Sequence, residues 1–244
     1  MSDAKPTATV IIPALDEEGN IPTLIVEILA VDPAALPVTI TEVIVVDNGS
    51  TDATAARARA AGARVVPEPT PGYGRACHTG LLAATTDLVI YMDGDRSEVP
   101  AEMGLVVGPV ASGASDLGIG SRVRGHAEPG ALSPQQRVGN RVATLVMRPL
   151  YGVAITDLGP YRCMRRETLL GLGMTERTYG WPVEMIARVA QSGLRIAEVP
   201  VTCRRRGSGV SKVSGNLTAS AKTAYRIVAV IIGVRRERGR PACP

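Results

Sequence analysis

Apolar residues recur along the chain in short blocks that end on acids or turn residues. Thr9-Val10-Ile11-Ile12-Pro13-Ala14 and Glu42-Val43-Ile44-Val45-Val46-Asp47 are apolar nearly throughout, the pattern of parallel strands covered on both faces. Ala63-Arg64-Val65-Val66-Pro67 and Leu88-Val89-Ile90-Tyr91-Met92 read as two further strands. Stretches with helical spacing separate them, at about 21–31, 53–62 and 75–86, the second preceded by the capping residues Ser50-Thr51-Asp52. Strands alternating with helices predict an α/β fold with a mostly parallel sheet of right-handed βαβ units. The second half is less regular. It predicts helices at about 100–112, 134–150 and 182–192, strands at about 115–121 and 195–203, and short elements over 153–166. A basic, Gly/Ser-rich loop follows over 204–215, then a last helix over about 217–236.

Open α/β sheets bind ligands outside the carboxyl ends of their strands. Three acidic features fall at such ends: Asp16-Glu17-Glu18, Asp47 and Asp93-Gly94-Asp95. Residues i and i+2 of a strand share a face, so Asp93 and Asp95 emerge together. Two aimed carboxylates suit a hard divalent cation, and such a cation clamps a diphosphate. Asp-Gly-Asp alone is also turn chemistry; it is the convergence of three acidic tips on one sheet edge that argues for a site. Gly72-Tyr73-Gly74-Arg75 precedes a helix, where glycines admit close backbone approach and a helix N-terminus attracts anions. It reads equally as an ordinary glycine turn.

Composition narrows the partners. The 244 residues suit one large domain, or one domain with an appendage. Apolar residues make up 45% and aromatics only 3%, with no Phe, so the core must be built from Val, Leu, Ile, Ala and Met. A net charge of +4 and a pI of about 9.0 favour anionic partners. Nucleic acid is disfavoured, because no basic stretch interleaves with aromatics. Cys77, Cys163, Cys203 and Cys243 lie far apart and, with His78 and His126, form no zinc pattern. A reducing cytoplasm is the expected compartment. No signal-peptide pattern opens the sequence, and no apolar run approaches the roughly 18 residues of a membrane span.

Taken in order, Val10-Ile-Ile-Pro-Ala-Leu-Asp-Glu-Glu-Gly-Asn-Ile21, Val43-Ile-Val-Val-Asp-Asn-Gly-Ser-Thr-Asp52, Gly72-Tyr-Gly-Arg-Ala76, Asp93-Gly-Asp95, Gly120-Ser-Arg122 and Ile196-Ala-Glu-Val-Pro200 resemble the family 2 inverting glycosyltransferases. The branch most resembled holds the polyprenyl-phosphate (dolichyl-phosphate-type) mannosyl- and glucosyltransferases. The resemblance runs over roughly residues 8–215. It implies a GT-A type, Rossmann-like fold with a central mostly parallel sheet flanked by helices. Residues 1–215 would form the nucleotide-sugar-binding domain, with its acceptor half from about 120, and 216–244 an amphipathic helix and basic tail. It implies that Pro13, Leu15, Glu17, Asp47, Arg75, Asp93 and Gly94 contact the nucleotide sugar, GDP-mannose or UDP-glucose. Asp93 and Asp95 would hold Mg²⁺ or Mn²⁺, with Asp95 the principal ligand. Many relatives follow the triplet with Gly-Gln-His-x-Pro, whereas this chain has Arg96-Ser97-Glu98-Val99-Pro100. Ser97 replaces the metal-assisting Gln, leaving Glu98 or water as the third ligand.

On the acceptor side the resemblance points to Asp157 and Glu184 for acceptor orientation or general base. A hydroxyl acceptor needs a base, whereas a lipid phosphate arrives ionised and needs cations. Arg122 and the loop residues Arg204, Arg205, Arg206 and Lys212 are the expected cations. The acceptor implied is a polyprenyl phosphate; the alternatives are a soluble hydroxyl acceptor, or a nucleotide- or lipid-surface-binding module without transferase activity. The tail, Tyr225-Arg-Ile-Val-Ala-Val-Ile-Ile-Gly-Val234 followed by Arg235 and Arg236, reads equally as a peripheral membrane contact or as a core-packed helix.

Overall fold

The structure, a computed structural model, describes residues 4–209 and 217–237. Its strands are β1 (Thr7–Ala14), β2 (Thr39–Asp47), β3 (Arg64–Pro67), β4 (Leu88–Tyr91), β5 (Leu117–Ala127), β6 (Arg162–Arg165) and β7 (Ile196–Cys203). Its helices are α1 (Ile21–Leu29), α2 (Thr54–Ala60), α3 (Tyr73–Ala83), α4 (Met103–Ala111), α5 (Pro134–Tyr151), α6 (Arg166–Gly171), α7 (Trp181–Gln191) and α8 (Leu217–Glu237). The strands form one sheet in the order β3-β2-β1-β4-β6-β5-β7. β1 pairs in parallel with β2 and β4, β2 with β3, and β5 with β7, while β6 runs antiparallel to β4 and β5.

Strand alternation divides the core into two layers. Ile11, Ile44, Val46, Val89 and Tyr91 face one side, where Ala76, Cys77 and Leu81 of α3 and Trp181 and Met185 of α7 cover them. Val10, Ile12, Val43, Val45 and Ile90 face the other, under Leu24 and Ile25 of α1 and Val106 and Val110 of α4. Burial on both faces is why these strands lack the apolar–polar alternation of a half-exposed sheet. Gly80 lets α3 lie on the sheet, since a Cβ there would clash with Ile11. Ile231 and Val234 of α8 are buried in the first layer. The Tyr151 hydroxyl donates to the Ile231 carbonyl at 2.6 Å and Gln191 to that of Val234 at 3.1 Å. These contacts pack one face of the terminal helix into the core.

The sheet order creates the site. The chain leaves β1 towards β2 on one side and later returns to β4 on the other, so the β1/β4 boundary is a switch point where loops diverge and leave a crevice. Ile11 is in register with Tyr91, so Pro13 and Asp93, two residues on, arrive at the same height.

Several elements differ from the sequence expectation. β5 continues to Ala127, α6 was not foreseen, and the short elements over 153–166 include the antiparallel strand β6. The N-cap of α2 is Ala53, and Asp52 instead accepts from the Thr54 N–H at 2.9 Å.

Candidate active site

The cavity at the switch point has a volume of about 380 Å³, within the range of small-ligand pockets. The β1 and β4 tips supply Pro13, Leu15, Glu17, Asp93, Gly94 and Asp95, and Arg122 and Arg206 complete the expected residues in its wall. Two non-glycine residues of these loops adopt left-handed backbone, Asp16 at φ 48° and Arg96 at φ 65°. Such conformations are costly and persist where surroundings enforce them. Asp16 is fixed by the Thr51 N–H, which donates to its Oδ1 at 2.7 Å.

The acidic cluster is tightly organised. The Tyr73 hydroxyl donates to Asp93 Oδ1 at 3.0 Å, and the Ser97 N–H to Asp95 Oδ1 at 3.0 Å. Burial, and then the charge of Asp95, push the Asp93 carboxyl up to about 7. Arg206, on the loop after β7, donates to Asp95 Oδ2 at 3.3 Å and pairs with Glu17. A guanidinium thus lies where positive charge is most needed. Asn20, at the N-cap position of α1, makes no cap hydrogen bond. Its amide donates to Glu17 Oε2 at 2.7 Å and to the Ser208 carbonyl at 3.1 Å, so a capping residue instead ties the Arg206 loop to the site.

Asp93 and Asp95 suit a hard divalent cation: two carboxylates, with substrate phosphates and water completing the shell, is how Mg²⁺ is commonly held. Among the described residues no group of three or more Asp, Glu, His or Cys could hold a metal. Glu98 is not the missing ligand. It is 2% exposed and absent from the wall. Its Oε2 accepts from the Asp93 N–H at 3.0 Å and its Oε1 from the Ser97 hydroxyl at 3.1 Å. Burial, then the charges of Asp93 and Asp95, drive its carboxyl well above the usual range. Glu98 braces the turn that presents the two aspartates.

The other expected residues among the described ones do not line the cavity. Asp47 closes the turn after β2, its Oδ1 accepting from the Ser50 N–H at 3.0 Å. Its neighbour Asn48 lines the wall and shapes the loop below it, donating to the Glu68 and Thr70 carbonyls and accepting from the Gly72 N–H. Arg75 lies outside the wall, as does Arg204, which pairs with Glu27 at 3.2 Å. Arg205 donates from its N–H to Glu128 at 2.8 Å. Lys212 lies outside the described residues.

The two acids expected on the acceptor side have structural work instead. Asp157 is fully buried, and Arg122 grips it with Nε to Oδ2 and Nη2 to Oδ1, both at 2.8 Å. Burial would raise the Asp157 carboxyl, but the Arg122 hydrogen bonds and charge outweigh it and hold the group below its ordinary value. That grip uses two of the five guanidinium N–H donors, leaving Arg122 a cation in the wall. Glu198 supports the arrangement from β7, accepting from the Thr156 and Asp157 N–H groups at 2.8 Å. Glu184 is 1% exposed and receives the Thr175 N–H at 3.0 Å, the Glu176 N–H at 2.7 Å and Arg188 Nε at 2.7 Å. Its carboxylate ties down the loop before α7 and does not face the cavity.

Neutral residues without a sequence signal form the wall opposite the acidic cluster. Ser133, Gln135, Gln136 and Asn140 enter from the start of α5, which a reciprocal Ser133–Gln136 capping box fixes. Tyr179 and Ile227 add apolar surface. The capping box was the one signal that could have placed this helix start; nothing in the sequence says that it opens on the site. Buried Arg162 donates to the Gly159, Leu158 and Pro182 carbonyls and so sets two further wall residues, Leu158 and Pro182.

An acidic crevice beside a neutral hydrogen-bonding wall suits a nucleotide-linked substrate held through a cation. The family model of glycosyl transferase family 2 matches residues 9–171, and the chain belongs to that family. It is 41% identical over 214 residues to an uncharacterized glycosyltransferase of Mycobacterium tuberculosis, covering 87% of this chain and 92% of that protein. It is 31% identical over 225 residues to the polyprenol monophosphomannose synthase of Mycolicibacterium smegmatis, covering 85% of this chain and 81% of that one. Among solved structures it matches glucosyl-3-phosphoglycerate synthase of Mycobacterium tuberculosis in complex with Mn²⁺, UDP and glucosyl-3-phosphoglycerate. The TM-score is 0.75 and the identity 25%, over 97% of this chain and 81% of that one. The fold is of the GT-A type, as the sequence resemblance implied, and the enzyme is a glycosyltransferase.

Proposed function

We propose that the protein transfers a hexose from a nucleoside-diphosphate sugar, GDP-mannose or UDP-glucose, to a polyprenyl phosphate with inversion at C1. The carrying observation is that both acceptor-side carboxylates are locked away, Asp157 by Arg122 and Glu184 by Arg188 and two backbone amides. Neither is free to take a proton from an attacking hydroxyl. An acceptor that arrives as a phosphate anion needs no such base, because its oxygen attacks already ionised. The likeness to the polyprenol monophosphomannose synthase supports the same acceptor class.

In this reading Pro13 and Leu15 flank the base and ribose and Glu17 meets the ribose. Asp95 and Asp93 would hold Mg²⁺ or Mn²⁺, and the cation would supply positive charge to the diphosphate leaving group. The acceptor oxygen forms the new bond to C1 as the bond from C1 to the diphosphate oxygen breaks, its electron pair leaving with the nucleoside diphosphate. Arg122 stabilises phosphate charge from the far wall, and Arg206, once released from Asp95, does so from above.

The test is a donor panel with Mn²⁺ or Mg²⁺ against short polyprenyl phosphate, the matching unphosphorylated polyprenol and phosphoglycerate, with product masses and anomeric configuration read out. Transfer to the lipid phosphate alone, with inversion, is the expected result. A soluble acceptor is the second reading, favoured by the likeness to the glucosyl-3-phosphoglycerate synthase complex; turnover of phosphoglycerate but not polyprenyl phosphate would establish it.

A further inference from the structure

Helix α5 carries a surface that neither the fold nor the cavity uses. Val138, Val142 and Leu145 are 64%, 47% and 59% exposed, although such side chains are usually buried. With exposed Pro149 they fall at i, i+4, i+7 and i+11, one straight stripe on the helix. The opposite face holds Ala143, Thr144 and Met147, buried against the domain. Arg137, Arg141 and Arg148 are exposed and, spaced i, i+4 and i+11, run down one flank of the stripe. The eighteen residues of α5 include no Asp or Glu. Helix α8 packs beside α5 and shows Ile232 at 39% exposure with Arg236 exposed.

An apolar stripe with a one-sided row of arginines and no acid matches a surface that is apolar beneath and anionic above. We propose that the outer face of α5 docks on an anionic lipid bilayer, the stripe entering the headgroup boundary and Arg137, Arg141 and Arg148 meeting lipid phosphates. Because Ser133, Gln136 and Asn140 of the same helix line the cavity, docking sets the cavity mouth beside the membrane plane, where a lipid-borne phosphate is displayed. The inference deepens the proposed function and rests on it for the acceptor, but the binding surface is tested without turnover.

The experiment is co-flotation of the full chain with vesicles free of polyprenyl phosphate, made of phosphatidylcholine alone or with phosphatidylglycerol. The native chain is expected to float with the anionic vesicles only, and less as salt rises. The triple variant Arg137→Gln/Arg141→Gln/Arg148→Gln should partition on the order of a hundredfold more weakly, at about 1 kcal/mol for each arginine near the surface. Val138→Ser/Val142→Ser/Leu145→Ser should float poorly too, with an unchanged melting temperature because these side chains are exposed. Val26→Ser/Leu29→Ser, which removes equally exposed apolar residues from α1, should float like the native chain. Failure of the native chain to float, or equal flotation of the α5 variants, overturns the proposal. So does loss of a dimer in the α5 variants by sedimentation, which makes a second copy the occupant. Flotation that depends on α5, with turnover of a soluble acceptor only, removes the proposed acceptor and leaves the surface standing.

Discussion

The two halves of the cavity are built on different rules. On one side, β1, β2 and β4 are parallel and buried on both faces, and the carboxyl ends of β1 and β4 deliver Glu17, Asp93 and Asp95 into one crevice. On the other side, antiparallel β6 interrupts the pattern, and the wall comes from a helix start, α5, and from loops held by largely buried ion pairs. The acids at the tips of β1 and β4 line the cavity, whereas Asp47, Asp157 and Glu184 hold the scaffold. The same residue type thus lines the cavity where its carboxylate stays partly accessible, and serves architecture where buried hydrogen bonds and a guanidinium enclose it.

That contrast predicts opposite outcomes for acids in the two halves. Asp95→Ala should reduce turnover at least about a thousandfold, on the scale of losing electrostatic stabilisation of a leaving group, with little change in melting temperature. Near-normal rates with saturating Mn²⁺ would end the metal reading. Asp157→Ala should instead unfold the protein more easily, by about 3 kcal/mol, because it leaves the largely enclosed Arg122 guanidinium without its partner. Chemical denaturation measures this, and the folded fraction at low temperature should retain most of its kcat. A further drop in kcat of a hundredfold or more, with stability intact, would make Asp157 the base after all.

The raised Asp93 carboxyl gives a pH test. In the folded chain it holds its proton up to about 7, while the unfolded chain releases it near the ordinary carboxyl value of 3.8. The folded state therefore keeps this advantage below the lower value and loses it as pH climbs towards the upper one. The melting temperature of cation-free protein should fall across that window, and the slope should shrink in Asp93→Asn. The increment conferred by Mn²⁺ should grow over the same window, since metal and proton compete. A smaller effect is expected from Arg206→Gln. Without the guanidinium beside Asp95, Mn²⁺ should bind a few-fold more tightly while the KM for the sugar nucleotide rises. Unchanged values for both would remove Arg206 from the site.

Legibility follows the same division. Strand periodicity located β1, β2 and β4, and the switch-point rule then located their acidic ends, because both signals are local. Asp47 shows the limit: its position at a strand end is right, but its carboxylate closes a turn, and the adjacent Asn48 reaches the wall. Glu184 has its partners Thr175 and Glu176 in a loop that only folding brings near the first turn of α7. Gln135 and Asn140 are neutral residues on an ordinary amphipathic helix, with no spacing that marks them. Arg206 stood among three consecutive arginines, and only the structure separates the one that meets Asp95 and Glu17 from its neighbours on Glu27 and Glu128.

The most direct test is calorimetric titration of a nucleoside diphosphate into the protein with and without Mn²⁺, repeated with Asp95→Asn. Cation-dependent binding in the native chain, lost in the variant, is the predicted result. Equal affinity with and without Mn²⁺, or in native and variant protein alike, would contradict the claim that the β4 carboxylates grip the nucleotide through a metal ion.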